Sequence, residues 1–290
     1  MNVTTGNLLT KLPIGDEPSL DSVKKVAGDI LTGVTETAMI TLWARAAEDL
    51  QPLPLFHDAK AANMVDSIDY DFRKFKNSWK TQTSVAIRTW ILDREISDYI
   101  NKNPNAVIIN LGAGLDDRFT RLDNGTIIWI DIDLPAVIEL KKSFFEETDR
   151  YRFVEKSILD FSWLDAIKAK NHPVLFIAEG LLMYLDASEI ITLFDKLSGH
   201  YAGAQMLIEL LAPAAAGGNF QDSDNIMNIG FKWSVLNSRY LEAMHNKVQV
   251  VDEWCVLDFF RYRWRWIGRC ADVPMFRNYF GEKIVHLEIK

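Results

Sequence analysis

Residues Val107–Arg118 read VIINLGAGLDDR: five apolar or amide residues, two glycines one residue apart, two acids and an arginine. VIINL is a short, β-branched run of the kind that forms a strand buried on both faces. Gly112 and Gly114 follow it directly, and glycine lets the chain turn tightly and bring its backbone close to a ligand at the start of the next helix. The stretch therefore predicts a strand–loop–helix unit that holds a nucleotide-like group.

Downstream, the same grammar repeats. Apolar segments at 106–111 (AVIINL), 126–133 (TIIWIDID), 151–158 (YRFVEKSI), 174–179 (VLFIAE) and 204–211 (AQMLIELL) alternate with helical patterns at 115–122, 134–147, 162–170 and 188–200. Continuous apolar strands separated by helices indicate a parallel sheet covered on both faces, and right-handed crossovers make it doubly wound. VQVVDEW (248–254) and KIVHLEI (283–289) add a closing antiparallel pair at the sheet edge, for seven strands in an α/β, mostly parallel sheet. Upstream, residues 1–20 are polar, carry Pro13 and Pro18, and read as a flexible lead-in able to close over a site. Ile30, Val34, Ala38, Leu42 and Ala46 recur at helical spacing, Asp58 precedes a short helix (AKAANMVDSI), and Ser84–Ile100 reads as another. Residues 1–103 are thus expected to form a helical cap, and 104–290 the ligand-binding core, with a substrate-side insertion at about 212–282.

The chain has 290 residues, 48 % hydrophobic and 25 % charged, which suits a globular core. A net charge of −8 repels polyphosphate and anionic lipid, so neither nucleic acid nor a membrane is an expected partner. Arg261, Arg263, Arg265 and Arg269 alternate with Tyr262, Trp264 and Trp266. That pattern is equally what arginines packed on aromatic faces within the fold produce. Cys255 and Cys270 lie apart with no histidine at ligand spacing, so no disulfide framework or metal site is indicated. No export signal or membrane-length apolar run is evident, and the expected location is the cytoplasm.

The third glycine of a dinucleotide fingerprint would fall at Asp117, which follows Asp116. Two acids at a helix start disfavour a pyrophosphate, whereas a cationic sulfonium cofactor without phosphate meets no such penalty. About 20 residues on, the second strand ends in WIDID, where Asp131 or Asp133 can accept protons from ribose hydroxyls; the two share a strand face. The third strand ends near Asp160 and Phe161, an acid to bond an adenine amino group beside a ring to cover it, although Asp160 equally suits a helix cap. The fourth delivers Glu179, placed to hold an ammonium or to pair with a structural arginine.

NLGAGLDDRFTRLD, IDIDLPAVIELKK, SILD and AEGLLMYL, in that order, resemble the leucine carboxyl methyltransferase family, including its bacterial branch of polyketide and small-molecule O-methyltransferases. VTETAMITLWARAAED and DAKAANMVDSIDYDF are similar to that branch's N-terminal region, so the resemblance covers most of residues 30–200. It implies a class I, Rossmann-like methyltransferase fold and S-adenosylmethionine as cofactor. It further implies that Arg88 binds the methionyl carboxylate, Gly112 belongs to the glycine loop, Asp133 binds ribose, Asp160 and Phe161 hold adenine, and Glu179 faces the methionyl amine. Asp117 departs from the threonine usual there, which alters the loop's charge, and Asn110 stands where many methyltransferases carry an acid.

Methyl transfer from a sulfonium is an in-line displacement, dominated by placing an acceptor oxygen beside the methyl carbon in a dry pocket. A carboxylate acceptor needs no base, and none of the five histidines falls in the core cofactor motifs, which favours a carboxylate over a hydroxyl. Tyr184 is the candidate catalytic residue, lining the acceptor side and donating a hydrogen bond; packing is its alternative role. The expected activity is O-methylation of a small molecule, with methylation of a protein C-terminus and a non-catalytic cofactor-binding scaffold as the competing readings.

Overall fold

The computed structural model describes residues 26–28, 31–167, 169, 172–216 and 230–290. The lead-in over residues 1–20 lies outside them.

A minimal parallel pair, β1 (Val26–Ala27) and β2 (Ile68–Asp69), ties the segment ahead of the first helix to the end of the second. One 3-10 turn (Gly33–Glu36) leads into α1 (Thr37–Asp49). α2 (Ala59–Ser67) starts at Asp58, whose carboxylate accepts the Ala61 N–H at 2.7 Å, the N-cap contact that satisfies an otherwise orphaned donor. α3 (Trp79–Lys102) is a 24-residue helix, longer at both ends than the apolar spacing suggested.

Seven strands then form the main sheet: β3 (Val107–Leu111), β4 (Ile128–Asp133), β5 (Tyr151–Glu155), β6 (Val174–Ala178), β7 (Gln205–Leu210), β8 (Val248–Cys255) and β9 (Lys283–Ile289). Their order is β5-β4-β3-β6-β7-β9-β8, with β9 antiparallel to both its neighbours and the pairs from β5 to β7 all parallel. The doubly wound reading holds, and the closing pair is β9 with β8. Between the strands run α4 (Arg118–Leu122), α5 (Pro135–Lys142), α6 (Ser162–Ala166) and α7 (Ala187–His200). α5 opens on Pro135, whose fixed φ suits a first helical turn, and α7 on an Asp186–Glu189 capping box. α4 starts three residues later than the pattern suggested, because the preceding loop is held open by side-chain bonds described below.

Two apolar clusters flank the sheet. One packs α1–α3 against Ile108, Trp129, Leu175, Leu207 and Ile284; the other packs α7 against Ile109, Phe176, Ile208 and Val285. Within the 212–282 stretch, β8 belongs to the sheet itself, and the YRWRW segment forms 3-10 turns in which Trp264 is buried and Arg265 stacks on Trp79 at 4.3 Å. The strand order reverses between β3 and β6, so the crevice for a ligand opens at their carboxyl ends.

Candidate functional site

A cavity of about 320 Å³ lies at that switch point. Its floor is the loop after β3, its sides are the ends of β4, β5 and β6, and the 3-10 turn, α1 and α3 roof it through Val34, Ala38, Arg45 and Arg88.

The glycine loop behaves as its composition dictates. Gly112 and Gly114 have φ of +64° and +54°, a region that side chains disfavour. A Cβ on Gly112 would also come within 2.8 Å of Leu181 Cδ1 across the cavity. Gly114 donates its N–H to Asp133 Oδ2 at 2.7 Å, and the Leu134 N–H donates to Asp133 Oδ1 at 2.7 Å. Burial pushes the Asp133 carboxyl up from its usual range, with these two N–H groups opposing the shift. It faces the cavity and retains lone pairs for hydroxyl donors.

Asp131 does not join it. The two residues share a face, but Asp131 lies two positions deeper, where it takes Lys141 Nζ at 2.5 Å, the Tyr151 hydroxyl at 2.8 Å and Trp129 Nε1 at 2.8 Å. It is 1 % exposed and off the cavity wall, a structural acid under α5. Asp160 and Phe161 are also off the described wall. Asp160 is exposed and accepts from the Ser162 hydroxyl at 2.6 Å and N–H at 3.2 Å, so its carboxyl is held below its usual range chiefly by Ser162. Those bonds lie at the start of α6, where Phe161 rather than Asp160 is the N-cap residue and no side chain caps the helix; Phe161 packs on the apolar cluster beneath α7. The wall at this edge is instead Lys156, Ser157, Ile158 and Leu159, because β5 ends at Glu155 rather than at 158.

Arg88 and Glu179 both line the cavity, and they also bond each other: Nε of the buried Arg88 donates to Glu179 Oε1 at 2.8 Å, the arginine pairing expected as the alternative for Glu179. Two further groups complete this corner. Arg88 Nη1 donates to Glu209 Oε1 at 2.6 Å, and Arg118 Nη1 pairs with Glu179 Oε2 at 2.6 Å. Burial pushes Glu179 up, yet Arg118 and Arg88 outweigh it and hold the carboxyl below its usual range.

The acids after the glycines are met from within the fold. Asp116 accepts from Arg118 Nη1 at 2.9 Å and Asn110 Nδ2 at 3.2 Å, with Arg45 Nη1 at 3.5 Å. Asp117 pairs with Arg121 at 3.1 Å and lies 3.7 Å from Arg45. Their charge is thus spent largely inside the protein, and repulsion of a pyrophosphate is a weaker discriminator than the bare sequence suggested. Asn110, where an acid is common, serves Asp116. Arg45, Arg118 and Glu209 escaped the sequence reading; the available signals were an arginine directly after two acids and a glutamate inside the apolar strand AQMLIELL.

At the opposite end the chemistry changes. Tyr184 lines the cavity beside Leu181 and Leu185, its ring 5.5 Å from Phe231, over buried Met183, Leu211 and Ala215.

A doubly wound sheet with strand order reversing over a glycine loop, an acid at the end of the second strand and an arginine–glutamate corner is a class I methyltransferase architecture. The sequence profile of the leucine carboxyl methyltransferase family matches residues 38–198, and the chain belongs to that family. It is similar to the tetracenomycin polyketide synthesis O-methyltransferase of Streptomyces glaucescens, 34 % identical over 79 % of this chain and 85 % of that protein. It is also similar to an S-adenosyl-L-methionine-dependent methyltransferase of Gibberella zeae, 31 % identical over 73 % of this chain and 79 % of that one. Among solved structures, a methyltransferase-like protein of Thermobifida fusca shares the fold with a TM-score of 0.54 at 12 % identity, covering 85 % of this chain and 94 % of its own. The cofactor of this family is S-adenosylmethionine. Among the described residues no helix is long and apolar enough to cross a membrane.

Proposed function

We propose that the chain is an S-adenosylmethionine-dependent O-methyltransferase acting on a carboxylate of a small molecule, of the polyketide or secondary-metabolite kind, with a hydroxyl as the second acceptor class. The carrying observation is that each acid on the cavity wall is already engaged: Asp116 and Glu179 by arginines, Asp133 by two backbone N–H groups. No histidine stands among the described lining residues. With no acid poised to take a proton, an acceptor that is already an anion fits best. The name of the Streptomyces relative supports the small-molecule acceptor.

The residues present fit the cofactor. A Cβ on Gly112 would run into Leu181 on the cavity wall, so glycine keeps the backbone there open to close approach, and Arg118 Nη2 is buried with no hydrogen-bond partner among the described residues. Asp133 would take the ribose hydroxyls, Arg88 the methionyl carboxylate and Glu179 the ammonium, with the glycine loop admitting close backbone approach. When bound, S-adenosylmethionine supplies a methyl carbon made electrophilic by its sulfonium. The protein's share is orientation and dryness: Val34, Ala38, Leu181 and Leu185 exclude water, and the Tyr184 hydroxyl donates to an acceptor oxygen. On this reading residues 1–103 act as a cap, since α1 and α3 roof the cavity.

The test is transfer of labelled methyl groups to a panel of aromatic acids and phenols, followed by alkali. Methyl esters release labelled methanol and methyl ethers do not. Volatile label from an acid is the expected result; alkali-stable label would overturn the carboxylate acceptor, and label retained on protein would overturn the small-molecule one.

A further inference from the structure

Glu209 is an acid in the middle of an apolar strand and is 1 % exposed. Burying a carboxylate there is costly unless donors meet it, and two do: Arg88 Nη1 at 2.6 Å on Oε1, and the Gly180 N–H at 2.6 Å on Oε2. Those donors belong to the two elements that frame the cavity's charged corner. Gly180 sits at φ +61° directly after Glu179, so its N–H fixes the turn that presents the Glu179 carboxylate. Arg88 reaches Glu179 through its Nε, so Glu209 and Glu179 together leave its guanidinium one orientation.

We propose that Glu209 is a positioning residue for the methyl donor: ionised, it aims Arg88 and pins the Gly180 turn; protonated, it releases one of them. This rests on the reading of Arg88 and Glu179 as the methionyl site. The reason lies in the donor count. Both oxygens accept from groups that have no lone pair to offer in return, so an added proton finds no partner among them and one of the two bonds weakens. The groups facing Glu209 are Arg88 on α3, Glu179 and Gly180 after β6, and Glu282 before β9, the last accepting the Ser84 hydroxyl from α3. Burial, opposed by Arg88 and reinforced by Glu282 and Glu179, pushes the Glu209 carboxyl up to about 7, within reach of ordinary working pH. If binding requires the ionised form, apparent affinity scales with the ionised fraction, which changes about tenfold between pH 8 and pH 6 for a group titrating near 7.

The experiment is calorimetric titration of the full chain with S-adenosylhomocysteine at pH 8 and pH 6, in the wild type and in Glu209→Gln. Wild-type Kd is expected to rise about tenfold on acidification, with proton release at pH 6.5 seen as a buffer-dependent heat. Glu209→Gln, which offers an amide donor where an acceptor is needed, is expected to bind weakly at both pH values with a ratio near one. A variant that binds as tightly as wild type, or keeps its pH ratio, overturns the proposal and points to Asp117, which burial pushes up to about 6. Should the variant not fold, the wild-type profile decides: affinity flat from pH 8 to pH 6 overturns the role of Glu209. Absence of wild-type binding at any pH overturns the donor site itself, a different failure.

Discussion

The two ends of the cavity are built from different materials. Around Arg88, Arg118, Glu179 and Glu209 the wall is ionic, buried and cross-bonded, with nearly every donor and acceptor assigned to a partner in the protein. Around Tyr184 it is aromatic and apolar, backed by Phe231 and Met183 and contributed by loops after β6 and β7. The ionic end is preorganised: its charges are desolvated during folding, so a donor molecule meets groups already in place. The apolar end selects by size and shape, which tolerates substitution and suits divergence in the acceptor.

The sharpest way to break this contrast is Arg118→Met. It takes from Asp93, Asp116 and Glu179 the cation they share, leaving them Arg121, Arg45 and Arg88 respectively, and a broken buried ion pair costs about 3–5 kcal/mol. Denaturant unfolding reads that loss directly; a change under about 1 kcal/mol would mean that the network is incidental to the fold.

Next in size is Asp133→Ala, which removes a charged acceptor from the ribose position. Loss of charge-assisted bonds worth about 2–3 kcal/mol weakens S-adenosylhomocysteine roughly 30- to 150-fold by calorimetry, whereas Asp131→Asn, off the cavity, acts on stability instead.

Tyr184→Ala probes the apolar end. Its expected signature is an acceptor KM raised about tenfold with S-adenosylhomocysteine affinity unchanged, and a matching loss of donor affinity would erase the distinction between the two ends.

Asp117 offers a pH test. Burial raises its folded pKa to about 6 from an unfolded value near 4. The protonated folded form is therefore favoured, and stability drawn from it is present below pH 4 and lost as pH rises through about 6. Asp117→Thr is expected to gain about 1 kcal/mol at pH 7.5, a gain that fades below pH 5; a pH-independent difference in thermal unfolding would count against the mechanism.

Smallest of all is Asp160→Ala. Since Asp160 is bonded to Ser162 at the start of α6, donor affinity is expected to stay within about threefold, and a loss above tenfold would restore it to an adenine role.

What the sequence disclosed follows the same divide. Strands β3 to β7 and the Gly112 loop were legible because buried parallel strands write continuous apolar runs and a tight turn requires glycine. Arg88, Asp133 and Glu179 were placed through motif order. Asp131 and Asp160 stood beside Asp133 as candidates because the same residue type at a strand end serves structure and ligand alike; depth, and the presence of Lys141 or Ser162, sets them apart from the cavity wall. Glu209 stayed hidden because its partners, Arg88 and Gly180, lie on other elements, and pairing over such distances leaves no local spacing to read; Arg118 showed locally only its place after Asp116 and Asp117, while its bonds to Asp93 and Glu179 come from α3 and the turn after β6. At the aromatic wall Tyr184 and Phe231 could be named as candidates, but their meeting at 5.5 Å was not readable from their spacing.

The most direct measurement of the central claim is titration of the wild-type chain with S-adenosylhomocysteine beside NAD, repeated in Asp133→Ala. The expected result is saturable one-to-one binding of S-adenosylhomocysteine, none of NAD, and loss of affinity in the variant. Binding of NAD alone, or S-adenosylhomocysteine binding indifferent to Asp133, would contradict it.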